Sequence, residues 1–441
     1  MLIDRSVIES LDKALTLQPY DRMRFATAPV TADPLQLVES GDQLVRFAAY
    51  LGVPGESEIG ALGNAWRVDS PYGADRFAQL SCAVGELDLP DEIPVLVGFS
   101  FESDGASRPE WDGFTPSSAV VPLVSIRTDG EASHLYVVVP PNTESFVALD
   151  LLRQLEDDSM VQVARAADHS IESHPTPGAW EGSVADAVNS IRDGGLQKAV
   201  LARSLHVRSD VPTRPFGVVR RLRSDYPSCF VYGWQEGEGT FVGASPELLV
   251  ARHGKQVRSH PLAGSAPRGL GEEADQALGE ELMASSKNRA EHQMVVDDIA
   301  ERLAAVTSEL RVDPTPSLRK VTHVQHLSTE IAGTVANGLG LVELAGRIHP
   351  TPAVGGSPRE EALSLIRKSE GFDRGWYAGG VGWTSTNGDG EIALALRCAL
   401  LRGDRAWLYA GAGIVADSVP ASELEETRLK FRTMLDLLTE A

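Results

Sequence analysis

The stretch CFVYGWQEGEGTFVGASPE, residues 229–247, sets two apolar runs on either side of a short turn containing glycine. A connection that short cannot carry the crossover that parallel strands need, so the two runs are expected to pair antiparallel, as a hairpin. The same unit recurs in QKAVLARSLHV followed by later runs, and in LLVARHGKQVRSHPLAGS. It returns near the end in WYAGGVGWTSTNGDGEIALALRCALLRGDRAWLYAGAGIV, which reads as three strands joined by TNGDG and RGDR. Helical patterns lie in separate blocks: EGSVADAVNSIRDGG, closed by two glycines; ADQALGEELMASSKNRAEHQMVVDDIAERLAAV; and SELEETRLKFRTMLDLL. Hairpins in clusters and helices in blocks predict an α+β fold with antiparallel sheet. Regular alternation of strand and helix is missing, which argues against a doubly wound fold.

Residues 20 to 175 alternate short apolar runs (IPVLVGFSFE, AVVPLVSIR, SHLYVVVPP) with Gly, Pro and Asp turns, so this part reads as β-rich. Helices are expected near Glu144–Leu155 and at the start, where Ser6 and Glu9 resemble a capping box. SHPTPGAW at 173–180 reads as a linker, giving a β-rich part over 1–175 and a second part over 176–441. A length of 441 residues sets a prior of two to three domains.

The formal net charge of −22, with no basic stripe to offset it, argues against nucleic acid and anionic membranes as partners. An anionic substrate would need positive charge supplied locally, inside its site. No apolar run approaches the roughly 18 residues of a membrane span, and the start does not read as a secretory signal. Cys82, Cys229 and Cys398 lie far apart in apolar surroundings, as buried thiols of a reducing compartment do. The cytoplasm is the expected location.

Four features are candidates for chemistry. Glu423, Glu426 and Lys430 share one face of the last helix. They read as a solvated Glu–Lys pair, or as an oxygen-rich Mg²⁺ site beside a cation that holds a carboxylate. Ser422 and Glu425 are spaced to cap that helix. Glu291 lies on a face with Met294, Val295 and Asp298, as a salt-bridge partner or as the other half of that metal site. Lys198 shares a strand face with Val200 and Ala202, as a solvent-facing edge residue or, if buried, as a base. Glu247 follows Pro246 at a strand beginning, as a turn residue or as a general acid whose pKa apolar neighbours raise.

Ten blocks in one order carry a more specific signal: KAVLAR, GASPELL, PLAGSAPRG, SSKNRAEH, VQHLST, HPTPAVGG, RGWYAGGVGW, LALRCA, AGAGIVADS and ETRLK. From Lys198 to Lys430 they resemble the chorismate-utilising enzymes, which include isochorismate, salicylate, anthranilate and aminodeoxychorismate synthases. The resemblance implies a single interleaved α/β sandwich around two large antiparallel sheets, with residues 176–441 as the chorismate-binding catalytic region. It gives Lys198 the role of the base that activates water, and Glu247 that of the acid protonating the departing C4 hydroxyl of chorismate. Glu291 and Glu426 resemble Mg²⁺ ligands, with Glu423 supporting them through water. Arg397 and Tyr377 resemble the grip on the enolpyruvyl carboxylate, and His326 a histidine near the pyruvyl group. Lys430 with the backbone of Gly411 and Gly413 resembles the contacts to the carboxylates at the other end. Gly264 and Ser265 resemble the loop beside the C4 hydroxyl.

Within that family, isochorismate and siderophore-type synthases resemble HPTPA, as here. Members that go on to eliminate pyruvate tend to carry threonine at the position of Ala353. The prolines and glycines around Ala353 are therefore expected to shape an apolar pocket wall. Without the other blocks, the same stretch reads as a connector between helices. Two departures stand out. Asn288 replaces a carboxylate common three residues before the metal glutamate, and Ser265 replaces the more usual threonine. The resemblance implies a Mg²⁺-dependent isochorismate synthase whose product feeds menaquinone or siderophore synthesis. Salicylate synthase is the close alternative. An ammonia-using synthase is the remoter one, because no glutaminase segment is fused here and no obligatory glutaminase subunit is expected. The resemblance leans towards a monomer.

Overall fold

A computed structural model describes residues 2–70, 72–105, 107–130, 132–155, 168–336 and 338–439. The long strand Ser117–Asp129 is the junction of its sheet. Along one edge it pairs with Ser57–Ser70. Along the other, its first part pairs with Val95–Phe99 and its second with Ala132–Val139. One limb leaves through Ser57–Ser70 and passes Phe47–Val53, Phe230–Glu236, Gly239–Ser245, Cys398–Arg402 and Arg405–Ile414 to reach Lys198–Ser209. The other leaves through Val95–Phe99 and passes Gly380–Thr384, Gly390–Leu394, Leu248–His253, Gln256–His260 and Ile331–Val335 to Thr307–Val312.

The limbs belong to one 19-stranded network, so the two large sheets that the sequence implied are continuous in hydrogen bonding at the junction. A separate three-stranded sheet holds Leu262–Pro267, Ser317–Lys320 and Val324–Ser328. All these pairings are antiparallel, as the hairpins predicted, and helices pack against the strands. Strands from the first part of the chain lie directly against strands from the second: Phe47–Val53 beside Phe230–Glu236, and Val95–Phe99 beside Gly380–Thr384.

Strand alternation feeds two apolar cores at once. Tyr232, Phe241 and Leu400 enter one, whereas their neighbours Val231, Val242 and Leu401 enter the other. The central strands are consequently buried on both faces, which is why they read as nearly unbroken apolar runs.

Several local expectations are corrected. The block 274–306 is two helices, Glu272–Ala284 and Ser286–Ala304, because Ser285 breaks the first and caps the second through Asn288 N. The 173–180 segment is not a linker but a strand end and the start of the helix Pro177–Arg192, capped by Thr176. The first helix is capped by Asp4 rather than Ser6, and Ser422 falls inside the last helix, which begins at Pro420. The final hairpins contain four strands, not three. Cys229 and Cys398 are buried, but Cys82 is exposed. No helix among the described residues is long and apolar enough to cross a membrane.

Candidate active site

An open cavity, about 680 Å³ including the solvent at its mouth, collects every catalytic, substrate-binding and metal candidate named from the resemblance except Glu423. Lys198 begins its strand with the side chain only 1% exposed, in line with Val200 on the cavity wall. Its Nζ lies 3.0 Å from Glu291 Oε1, on the helix Ser286–Ala304. The neighbouring strand Arg405–Ile414 brings Gly411 and Gly413 opposite Ala202 and Val200. A Cβ on Gly413 would sit 2.3 Å from Glu291 Oε1 and 3.0 Å from Lys198 Cε. Glycine is what leaves room for that ion pair.

The HPTPAVGG stretch docks onto the same strand from its other edge. Gly356 and Ser357 pair with Ala199 and Lys198, and the Val200 N–H donates to Gly355 O at 2.7 Å. At Gly356, φ is +155° and a Cβ would lie 2.2 Å from Lys198 O. The glycines therefore permit a close approach to the lysine's backbone, and Ala353 is left on the cavity wall just before that contact.

Glu247 follows the strand Gly239–Ser245 and is 4% exposed. Burial pushes its carboxyl up to about 8, against the pull of the Leu262 N–H and the charges of Lys198, Lys430 and Arg397. Leu262 N donates to Glu247 Oε1 at 3.3 Å.

Arg397 occupies the link between Gly390–Leu394 and Cys398–Arg402 with φ +51°, a conformation an arginine adopts only where its surroundings enforce it. Its Nη2 donates to His326 Nε2 at 2.9 Å, while its buried Nη1 has no partner. An arginine can only donate, so Nε2 accepts and the ring proton is on Nδ1. Nδ1 faces Ser265 Oγ at 3.1 Å and Gly264 O at 3.3 Å. Burial and the Arg397 charge hold this imidazole well below its ordinary pKa, hence neutral. Tyr377 stacks on Tyr409, ring centroids 5.4 Å apart.

Lys430 Nζ donates to Gly411 O at 2.8 Å and Glu426 Oε1 at 2.6 Å. Burial alone would raise the Glu426 carboxyl, but Lys430, with Arg397 and Lys287, outweighs it and holds the group below its usual range. Glu423 lies off the cavity wall and pairs with Lys287 at 3.1 Å. Burial and the nearby Glu426 charge raise its carboxyl.

Among the described residues no cluster of three or more His, Cys, Asp or Glu is arranged for a metal. Glu291 and Glu426 both line the cavity, each resting on a lysine. Two carboxylates fit Mg²⁺, which commonly takes one or two from protein and the rest from water and substrate. Asn288 packs beside Gly264 and donates to Ser285 Oγ at 2.9 Å, adding no carboxylate. Sequence reasoning passed over Tyr409, Leu396 and Val354, all on the wall. Tyr409 was within reach, since strand alternation puts it on the face of Gly411 and Gly413.

Residues 13–439 match the family profile described as chorismate binding enzyme. The chain is 34% identical over 426 residues to the salicylate biosynthesis isochorismate synthase of Pseudomonas aeruginosa, covering 92% of this chain and 88% of that one. It is 36% identical over 351 residues to the isochorismate synthase MenF of Bacillus subtilis, covering 78% and 74%. The solved structure of MenF, the menaquinone-specific isochorismate synthase of Escherichia coli, superposes with a TM-score of 0.83 at 26% identity, covering 98% of this chain and 99% of that one.

Proposed function

This chain belongs to the chorismate-binding enzymes, and from that premise we propose that it is an isochorismate synthase, converting chorismate to isochorismate. The observation that carries this reading is one cavity holding a buried amine, a carboxylic acid that keeps its proton at neutral pH, two more carboxylates and the cations Arg397 and Lys430.

Chorismate is a dianion, which an acidic protein must answer with charge inside the site. Arg397 offers the free Nη1 hydrogens to one carboxylate, with the neutral His326 fixing the guanidinium from Nε2. Lys430, held by Gly411 O and Glu426, serves the other end. Water adds at C2, the ring double bonds shift and the C4 hydroxyl departs. Hydroxide leaves poorly, so Glu247 delivers a proton and the group departs as water. Lys198 acts as the base in its uncharged amine form, the only form with a lone pair to accept a proton, and takes the proton of the attacking water. Glu291 and Glu426 are the residues that would hold Mg²⁺, which when bound supplies a Lewis acid for the substrate carboxylate. Ala353 keeps the wall apolar and free of a hydroxyl.

Incubating the protein with chorismate and Mg²⁺ and resolving the products by chromatography tests the reading. Isochorismate is expected to accumulate. Salicylate as the main product, or anthranilate with ammonium present, would overturn it.

A further inference from the structure

Along one edge, the strand carrying Lys198 is paired with Arg405–Ile414 from Ala199 to Arg208. Its other edge is built in pieces. Gly356–Ser357 covers Lys198 and Ala199, and His169–His174 covers Ser204 to Ser209. In the gap between them two side chains take the place of a strand. The Val200 carbonyl accepts from Arg374 Nη2 at 2.7 Å, and the Ala202 N–H donates to Glu370 Oε1 at 2.7 Å.

Arg374 Nε donates to Glu370 Oε2 at 2.8 Å, and Nη2 also contacts Oε1. The remaining arm of the fork, Nη1, donates to the Val354 carbonyl at 2.8 Å, next to Ala353. The guanidinium carbon lies 4.2 Å from the centroid of the Phe101 ring and 5.8 Å from that of Tyr377. Both side chains are buried, at 3% and 4% exposure.

A buried ion pair is a poor device for stability, because apolar residues of similar volume often serve as well or better. What apolar residues cannot do is satisfy Val200 O, Ala202 N and Val354 O together. Those three backbone groups belong to the two segments that flank the cavity. We propose that Glu370 and Arg374 are positioning residues for the reaction, holding the strand of Lys198 in register with the wall of Ala353. The proposal rests on the isochorismate synthase reading. It assigns the pair no contact with substrate.

The test uses Arg374→Lys, which keeps the charge but cannot span Val200 O and Val354 O at once, and Glu370→Gln, which keeps an acceptor for Ala202 N. Arg223→Lys is the control, altering another ion pair, with Glu58 and Asp33, none of which lines the cavity. For Arg374→Lys, kcat is expected to fall about 10- to 100-fold, the scale of an ångström-sized misplacement, with the KM for chorismate within about 3-fold. Hydrogen exchange should quicken in peptides spanning 198–203 and 353–357, and not around Phe216–Leu222. Arg223→Lys should lower Tm with kcat retained. Glu370→Gln should lose less kcat than Arg374→Lys, and it carries the test if Arg374→Lys fails to fold.

If both pair variants keep kcat, or lose it only as Arg223→Lys does at equal loss of Tm, the positioning role is refuted. Wild-type protein that makes no isochorismate would instead bring down the functional reading, and this proposal with it.

Discussion

Glu247→Gln separates what this carboxyl does for turnover from what it costs the fold. Burial raises the group from 4.5 to about 8, so at pH 7 roughly nine molecules in ten carry the proton. Glutamine keeps the size and an acceptor for Leu262 N but has no proton to give. Loss of a general acid typically costs about 10²- to 10⁴-fold in kcat. The wild-type rate should also fall as pH rises through 8, about tenfold per unit beyond it. Stability falls with rising pH as well, but from a lower pH. Between pH 4.5 and 8 the unfolded chain sheds this proton while the fold keeps it, so the contribution to stability is lost progressively as pH rises. At pH 7 that amounts to about 3 kcal/mol, an order-of-magnitude figure, which glutamine would not forfeit. The variant should therefore be nearly inactive yet melt higher than wild type at pH 7.5, with the difference closing near pH 4.5. Thermal melts across that range, beside steady-state turnover, measure both. A variant with kcat within tenfold of wild type, or a Tm difference independent of pH, would refute the reasoning.

Other outcomes are expected. Lys198→Ala should lose at least about 10²-fold in kcat and, by leaving Glu291 without its buried partner, about 3 kcal/mol of stability, read by chromatographic assay and denaturant titration. Gly413→Ala drives a methyl to 2.3 Å from Glu291 Oε1, so Mg²⁺ titrations should show a weakened apparent affinity along with lower turnover. Chelation should abolish turnover reversibly on re-addition of Mg²⁺, with the far-ultraviolet circular dichroism unchanged. Ala353→Thr puts a hydroxyl on the cavity wall and should raise the fraction of turnovers that release pyruvate, measured with a lactate dehydrogenase couple.

The hairpins were legible because turn chemistry is local: a glycine turn between apolar runs specifies antiparallel pairing without reference to the rest of the chain. The site residues were legible as types in an order, yet their local signals pointed elsewhere. Lys198 reads as an edge residue, yet the strand Gly356–Ser357 pairs with its backbone, and Gly413 and Glu291 lie against its side chain, which is 1% exposed. Glu247 reads as a turn residue until its surroundings remove water from it. Glu423 shares a helix face with Glu426, but it pairs with Lys287 and is not among the residues lining the cavity. The Glu370–Arg374 pair looks like any i, i+4 contact at a helix end. Its meaning lies in Val200 and Ala202, far away in sequence.

By itself, then, the sequence determined the antiparallel α+β class, because periodicity and turns act over a few positions, and through the order of its blocks it named the candidate site residues. Which acids share a cavity, which carboxyl keeps its proton and which backbone edge a side-chain pair completes were decided by the tertiary structure. Desolvation and close contact arise only when segments distant in the chain are brought within a few ångströms of one another.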